Sequence, residues 1–317
     1  MLRKTIARTA QEMEPLQGAW QALSAPYTIF QRCDLNLLAA RHFADCQPPL
    51  VIYCENDLGA AIIPACIDVS RQRISLLGEE LFDYRGLLSA GDESALHEAW
   101  QTLIDFAGEH DLGFGFHALR NERVSNFAAN QIPISPFTSA PFCLTADLTK
   151  FHHPRLDSKL RRLGREGIAF RKHSTSTPLL VREIYVRKST EPHSLFGDDA
   201  RIDFCCSMAT TLGTACEVFT LESQAAIVAA LITYRDGDWR RFYTTYFDRS
   251  WAKLSPGQTL LYEVVRQSLN EGLNCDLMTG DQPYKVRLAT GSAPLFKVDI
   301  TAAEMRALGK HALEQSA

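Results

Sequence analysis

Two stretches of this chain, residues 50–119 and 215–281, read as the same series of elements in the same order. In the first, the β-rich run Leu50-Val51-Ile52-Tyr53-Cys54 meets the turn signal Glu55-Asn56-Asp57, and residues 59–69 return as a strand. A third strand is expected over 73–78. A helix opened by Gly91-Asp92-Glu93-Ser94 follows, with Leu96, Trp100, Leu103, Ile104 and Ala107 on its apolar side, and residues 112–119 close the series as a strand. In the second, residues 217–221 and 225–234 are strands around the turn Glu222-Ser223-Gln224, and Asp236-Gly237-Asp238 is a hairpin-type turn into a strand over 239–247. A helix opened by Ser255-Pro256-Gly257 carries Leu260, Leu261, Val264, Val265 and Leu269, and 275–278 is the closing strand. Gly91 and Gly257 hold equivalent places, about 165 residues apart. One α+β unit, occurring twice, limits the fold to two lobes, each a mixed and mostly antiparallel sheet flanked by helices. The expected division is 1–140 and 141–317.

The length of 317 residues accommodates both lobes. Ahead of the first unit, Met13, Leu16, Ala19, Trp20 and Leu23 have helical spacing up to Pro26, and a second helix is expected over 35–44 before Pro48-Pro49. Between the units, residues 127–141, with Pro133, Pro136 and Pro141, read as a crossing segment. Residues 150–172 are strongly basic, with Leu156, Leu160 and Leu163 on one side, and read as an amphipathic helix. Two further helices are expected over 179–189 and 199–212.

Composition narrows the function classes. The net charge of −4 argues against wholesale DNA binding. No apolar run approaches the roughly 20 residues that span a bilayer, and no apolar segment follows the charged N-terminus as in a secretory signal. The nine cysteines are scattered with no CxxC pair, and they read as reduced, mostly buried side chains of a cytoplasmic protein. His97, His152, His153 and His193 lack metal-ligand spacing, so no metal is expected. Oligomeric state has no signal here.

The loops before the two long helices differ. Ser89-Ala90-Gly91-Asp92-Glu93 carries acids that would repel a phosphate, whereas Ser255-Pro256-Gly257-Gln258-Thr259 is neutral and leaves backbone N–H groups at a helix start. Ser-Pro is also an ordinary helix opening. After the strand at 275–278 comes Thr279-Gly280-Asp281-Gln282-Pro283-Tyr284-Lys285. A phenol of ordinary pKa about 10 holds its proton at neutral pH. Tyr284 could therefore protonate a leaving thiolate, Asp281 could take a proton from an attacking group, and Lys285 could pair with Asp281 or with an acceptor anion. Lys159, Arg161, Arg162 and Arg165 could draw in a polyanionic donor, whether nucleotide, carrier protein or tRNA, or form a solvated basic face. On the strand at 239–247, strict alternation would put Phe242, Thr244 and Tyr246 on one side and Tyr243, Thr245 and Phe247 on the other.

Together with Asp83-Tyr84 after a Leu-Leu-Gly strand and Ser158-Lys159-Leu160-Arg161-Arg162, these motifs resemble GNAT-superfamily acyltransferases of the cellulose-biosynthesis (CelD/BcsL) type, relatives of the Fem-type peptidoglycan aminoacyltransferases. The resemblance runs over roughly residues 15–300. It implies tandem GNAT-like lobes and transfer of an acyl group from a thioester, acyl-CoA or a phosphopantetheine thioester on an acyl-carrier protein, to an amine or hydroxyl of a small molecule or saccharide. Attack is expected to be direct. Ser255, Pro256, Gly257, Gln258 and Thr259, with Arg161 and Arg162, would hold the donor in the C-terminal lobe. Asp281, Tyr284 and Lys285 would carry the chemistry, and Asp83, Tyr84 and Tyr246 would meet the acceptor. An aminoacyl-tRNA-dependent transferase and a non-catalytic binding protein on a GNAT scaffold are the alternatives.

Overall fold

The repeat is present as topology. The computed structural model describes residues 2–24, 28–78, 80–120, 132–173, 178–192, 194–224 and 226–306. They pack as two units, one from Met1–Thr138 with Pro294–Ala317 and the other from Ser139–Ala293. In the first, β2 (Pro49–Glu55), β3 (Gly59–Asp68) and β4 (Arg73–Leu76) run antiparallel in sequence order. The short β5 (Leu88–Gly91) pairs antiparallel with β3, and helix α4 (Ser94–Glu109) then crosses so that β6 (Gly113–Arg120) lies parallel to β4. In the second, β9 (Cys216–Glu222), β10 (Ile227–Asp236) and β11 (Trp239–Phe247) are the antiparallel three. Helix α8 (Pro256–Asn270) makes the crossing, and β12 (Asn274–Asp276) lies parallel to β11.

The outer strands complete the likeness. β1 (Arg3–Ala7) pairs antiparallel with β2, and β8 (Ala169–His173) with β9. Beyond β6 comes β13 (Gly291–Ile300), and beyond β12 comes β7 (Ser135–Cys143), both antiparallel. The far-side strand of the first sheet is thus drawn from the C-terminal part of the chain, which is why residues from Pro294 onward pack with the first unit, and that of the second comes from the segment leading into it.

Each sheet is covered on both faces, so its central strands are near-continuous apolar runs rather than alternating ones. On the first, Trp100 and Leu103 of α4 bury against Phe114 and Phe116, with the Trp100 and Phe114 rings 5.6 Å apart. Met13 of α1 (Ala10–Met13), Trp20 of α2 (Gln17–Ser24) and Leu37 of α3 (Cys33–His42) cover the opposite face. On the second, Leu260, Leu261, Val264, Val265 and Leu269 of α8 are all buried against Phe219, Leu231 and Phe242. Each such side chain contributes roughly 1.5–3 kcal/mol by leaving water. Helices α6 (Pro178–Ser189) and α7 (Asp199–Leu212) bury Tyr185, Phe204 and Met208.

Several local expectations need correction. The basic stretch is helical only as α5 (Pro154–Arg165). Gly167, at φ 78, accepts the left-handed turn that ends it, Ile168 N–H returns to the Leu163 carbonyl, and the chain continues as β8. Of the expected crossing segment, residues 127–131 lie outside the described residues and the part from Ser135 is β7. In the run after β12, to which the sequence pattern assigns no element, Pro283–Leu288 forms α9. No described helix is long and apolar enough to cross a membrane.

Candidate active site

In the second unit β11 and β12 part company. Their pairing covers only Trp239 to Arg241 against Asn274 to Asp276. Arg241 is buried there between two carboxylates, at 2.5 Å from Asp276 and 2.8 Å from Asp236. Asp276 also accepts the Met278 N–H at 2.7 Å. Met278 takes a left-handed conformation, φ 66, which an unbranched side chain adopts only at a cost of order 1–3 kcal/mol, so the turn here is imposed by its surroundings. From this point the chain follows β7 instead: Leu277 N–H donates to Pro141 O and Gly280 N–H to Ser139 O, both at 2.9 Å. β11 continues along β10. Its residues beyond Arg241 have no ladder partner on the β12 side among the described residues.

β11 is also bulged. The register against β10 passes from Thr233–Phe242 to Ile232–Thr244, which leaves Tyr243 as the extra residue. The bulge overturns the expected alternation. Tyr243 touches the Tyr234 ring, Thr244 meets the Tyr185 hydroxyl of α6 at 3.1 Å, and Tyr246 is hydrogen-bonded to Arg187 of α6. Phe242 lies instead in the core under α8, and Phe247 packs beside Gly257 at the start of α8. Strict period-2 reading cannot detect an inserted residue.

The start of α8 faces this same end of β11. A short 3-10 turn, Arg249–Leu254, leads into Ser255, which is left-handed at φ 50, ψ 52. Ser255 does not cap the helix with its side chain. Its Oγ instead accepts from the Lys159 Nζ of α5 at 2.7 Å. Pro256 has no N–H, and Thr259 is fully buried with its N–H and hydroxyl both turned to Ser255 O at 3.0 Å. The N–H groups of Gly257 and Gln258 meet no acceptor among the described residues. A Cβ on Gly257 would come 3.3 Å from the Phe247 ring, so a side chain there would press on β11. The helix start therefore presents two N–H donors and a neighbouring ammonium, a combination suited to an anion.

Tyr284, in the first turn of α9, packs its ring on the second unit's core, and its hydroxyl hydrogen-bonds Thr245 on the parted stretch of β11. Burial raises the phenol above its ordinary value. The Thr245 hydrogen bond acts against that and the Glu191 carboxylate adds to it. Lys285 donates its Nζ to Thr279 O at 2.9 Å, tying α9 to the preceding loop, and Asp281 is exposed on that loop. Thr245 joins Tyr284 here although no motif marked it, while Lys159, read from the sequence among the donor-attracting cations, stands at the start of α8. Lys159 lay inside the basic run, but a contact between residues 96 apart has no signal in a single sequence.

The other expected site residues stand elsewhere. Arg161 and Arg162 are exposed on α5, Arg162 at 3.9 Å from Glu166. Asp83 and Tyr84 belong to the first unit. Tyr84 is buried and left-handed at φ 56, with the Arg120 guanidinium 5.2 Å over its ring. Among the described residues no group of three His, Cys, Asp or Glu side chains is placed to hold a metal.

The fold and this opening define a GNAT arrangement, and comparison with known proteins agrees. Residues 151–286, all within the second unit, match the family model described as the acetyltransferase (GNAT) domain. The comparison with curated proteins finds no match. Among solved structures the chain is similar to a tandem GNAT protein from the clavulanic acid biosynthesis pathway, at 13% identity and TM-score 0.57, over 95% of this chain and 98% of that one. It is similar to FemX at 11% identity and TM-score 0.57, over 96% and 99%. A protein of unknown function from Bacteroides thetaiotaomicron VPI-5482 shares 10% identity at TM-score 0.62, over 94% and 100%. At these identities the likeness is one of fold, a tandem GNAT architecture across the chain.

Proposed function

We propose that the second unit transfers an acyl group from a thioester donor, acyl-CoA or an acyl phosphopantetheine, to an amine or hydroxyl by direct attack. The observation that carries this is the opening between β11 and β12, with the Tyr284 hydroxyl on one side and the bare start of α8 at its end. The donor's phosphate would lie on Gly257 and Gln258 N–H beside Lys159. Its pantetheine arm would run along β11 in place of the missing strand, and backbone N–H groups near the Tyr243 bulge would meet the thioester oxygen as charge builds there. The acceptor's lone pair forms the new bond to the acyl carbon as the C–S bond breaks. Asp281 takes the acceptor's proton and Tyr284 gives its own to the thiolate. Within the superfamily we place the chain with the cellulose-biosynthesis type, on Ser158–Arg162, Ser255–Gly257 and Thr279–Lys285, and in the cytoplasm.

The test is thiol release from acetyl-CoA and acetyl-pantetheine against a panel of amine and hydroxyl acceptors. Tyr284→Phe should lower turnover about 10²-fold. Because the phenol is raised, it stays protonated through neutral pH, and the parent should show no loss of rate from this group below its ordinary value of about 10. An unchanged rate in Tyr284→Phe would remove the acid role. Asp281→Asn tests the base separately.

A further inference from the structure

We propose that the exposed face of α5 is the docking surface for an acidic carrier protein, which presents the acyl group on its phosphopantetheine arm to the start of α8. This rests on the acyl-transfer reading and names the donor's bearer. Helix α5 sets Leu156 and Leu163 into the core and turns Arg155, Arg161, Arg162 and Arg165 to solvent. Its one acid within the helix, Asp157, is half-buried and engaged, accepting from the Tyr262 hydroxyl at 3.0 Å and lying 3.3 Å from His152 Nδ1. Among the described residues, Arg155, Arg161 and Arg165 make no ion pair. Arginines on α6 and α7 are matched by contrast: Arg182 with Asp203, Arg187 with Glu183, Arg201 with Asp198. Arg162 lies 3.9 Å from Glu166, and in a chain of net charge −4 a face with three further unmatched arginines among the described residues is a local feature.

Its position gives it a use. Helix α5 packs against α8 and the 249–254 turn, where Arg249 and Lys253 are also exposed, and its Lys159 reaches Ser255. The cations therefore border the place where the donor's phosphate would bind. From Arg155 to Arg165 they extend about 15 Å along the helix. The phosphates of free CoA cluster on one nucleotide and do not span that length. An acidic protein face does, and it matches the sign. A nucleic acid would draw on a broader positive surface than one helix of a net acidic chain provides.

The experiment uses the full chain and a fluorescently labelled bacterial fatty-acid carrier protein charged with acetyl-phosphopantetheine. Affinity is measured for the parent and for the double variant Arg155→Glu with Arg165→Glu, both sites being exposed, at about 0.05 M and 0.5 M NaCl. The variant should bind the carrier at least about tenfold more weakly at low salt, the difference should shrink at high salt, and acetyl-CoA affinity should stay within about twofold. Equal carrier binding by parent and variant would overturn the proposal. So would an equal loss for acetyl-CoA, which would mean that the arginines read phosphate, or a tRNA transcript that outcompetes the carrier. Failure of the carrier alone, with acetyl-CoA still bound and turned over, overturns docking and leaves acyl transfer standing. Failure of every thioester overturns both.

Discussion

The two units have one topology and opposite treatments of the same corner. In the second, β11 runs nine residues, loses its β12 neighbour after Arg241 and ends beside a helix start with two bare N–H groups. In the first, β4 is four residues long, and the equivalent gap toward β6 is filled. Ser75 donates its hydroxyl to Gly115 O at 3.0 Å, buried Arg85 donates to Leu76 O at 3.0 Å, and Leu81, Phe82, Tyr84 and Leu87 of the segment after β4 are buried. The start of α4 is closed as well. Asp92 accepts from Ser94 N–H at 3.0 Å, and Asn56 of the β2–β3 turn reaches the Ser94 hydroxyl at 2.7 Å. Asp92 and Glu93 stand where the other copy has Gln258 and Thr259. One topology thus carries an open corner in the second unit and a packed one in the first, and the proposed function puts the donor at the open one.

Substitutions on either side should separate the copies. Arg85→Met leaves the Leu76 carbonyl without its donor in a buried setting, a cost of about 1–3 kcal/mol. It should lower Tm while leaving the kcat of thiol release unchanged. A kcat falling with no change in Tm would mean that the first copy takes part in the chemistry. Lys159→Met removes the ammonium beside Ser255 and should weaken acetyl-CoA binding about tenfold, with little change in stability because the residue is half-exposed. Donor affinity equal to the parent's would place the phosphate elsewhere.

Much of this fold could be read from residue order, because period-2 runs, turn signals and helix openings are local. The repeated strands, α4 and α8 follow from them, and so does the contrast between Asp92-Glu93 and Ser255–Thr259. What stayed hidden depends on non-local pairing. β1, β7 and β13 are flanking strands whose partners lie far along the chain, and β7 carries Pro136 and Pro141, which read as a linker. The Tyr243 bulge shifts which of Thr244 and Thr245 meets Tyr284, and no side-chain pattern announces it. The polar run 279–285 was visible as a cluster. That Lys285 would turn to Thr279 O rather than Asp281 depends on the first turn of α9.

The most direct test of an open second copy is hydrogen exchange on the whole protein with and without saturating acetyl-CoA. Slowed exchange should appear over residues 255–260 and 243–247, with no change over 75–78 and 93–97. Protection confined to the stretches around β4 and the start of α4 would place the donor in the first copy and contradict the account.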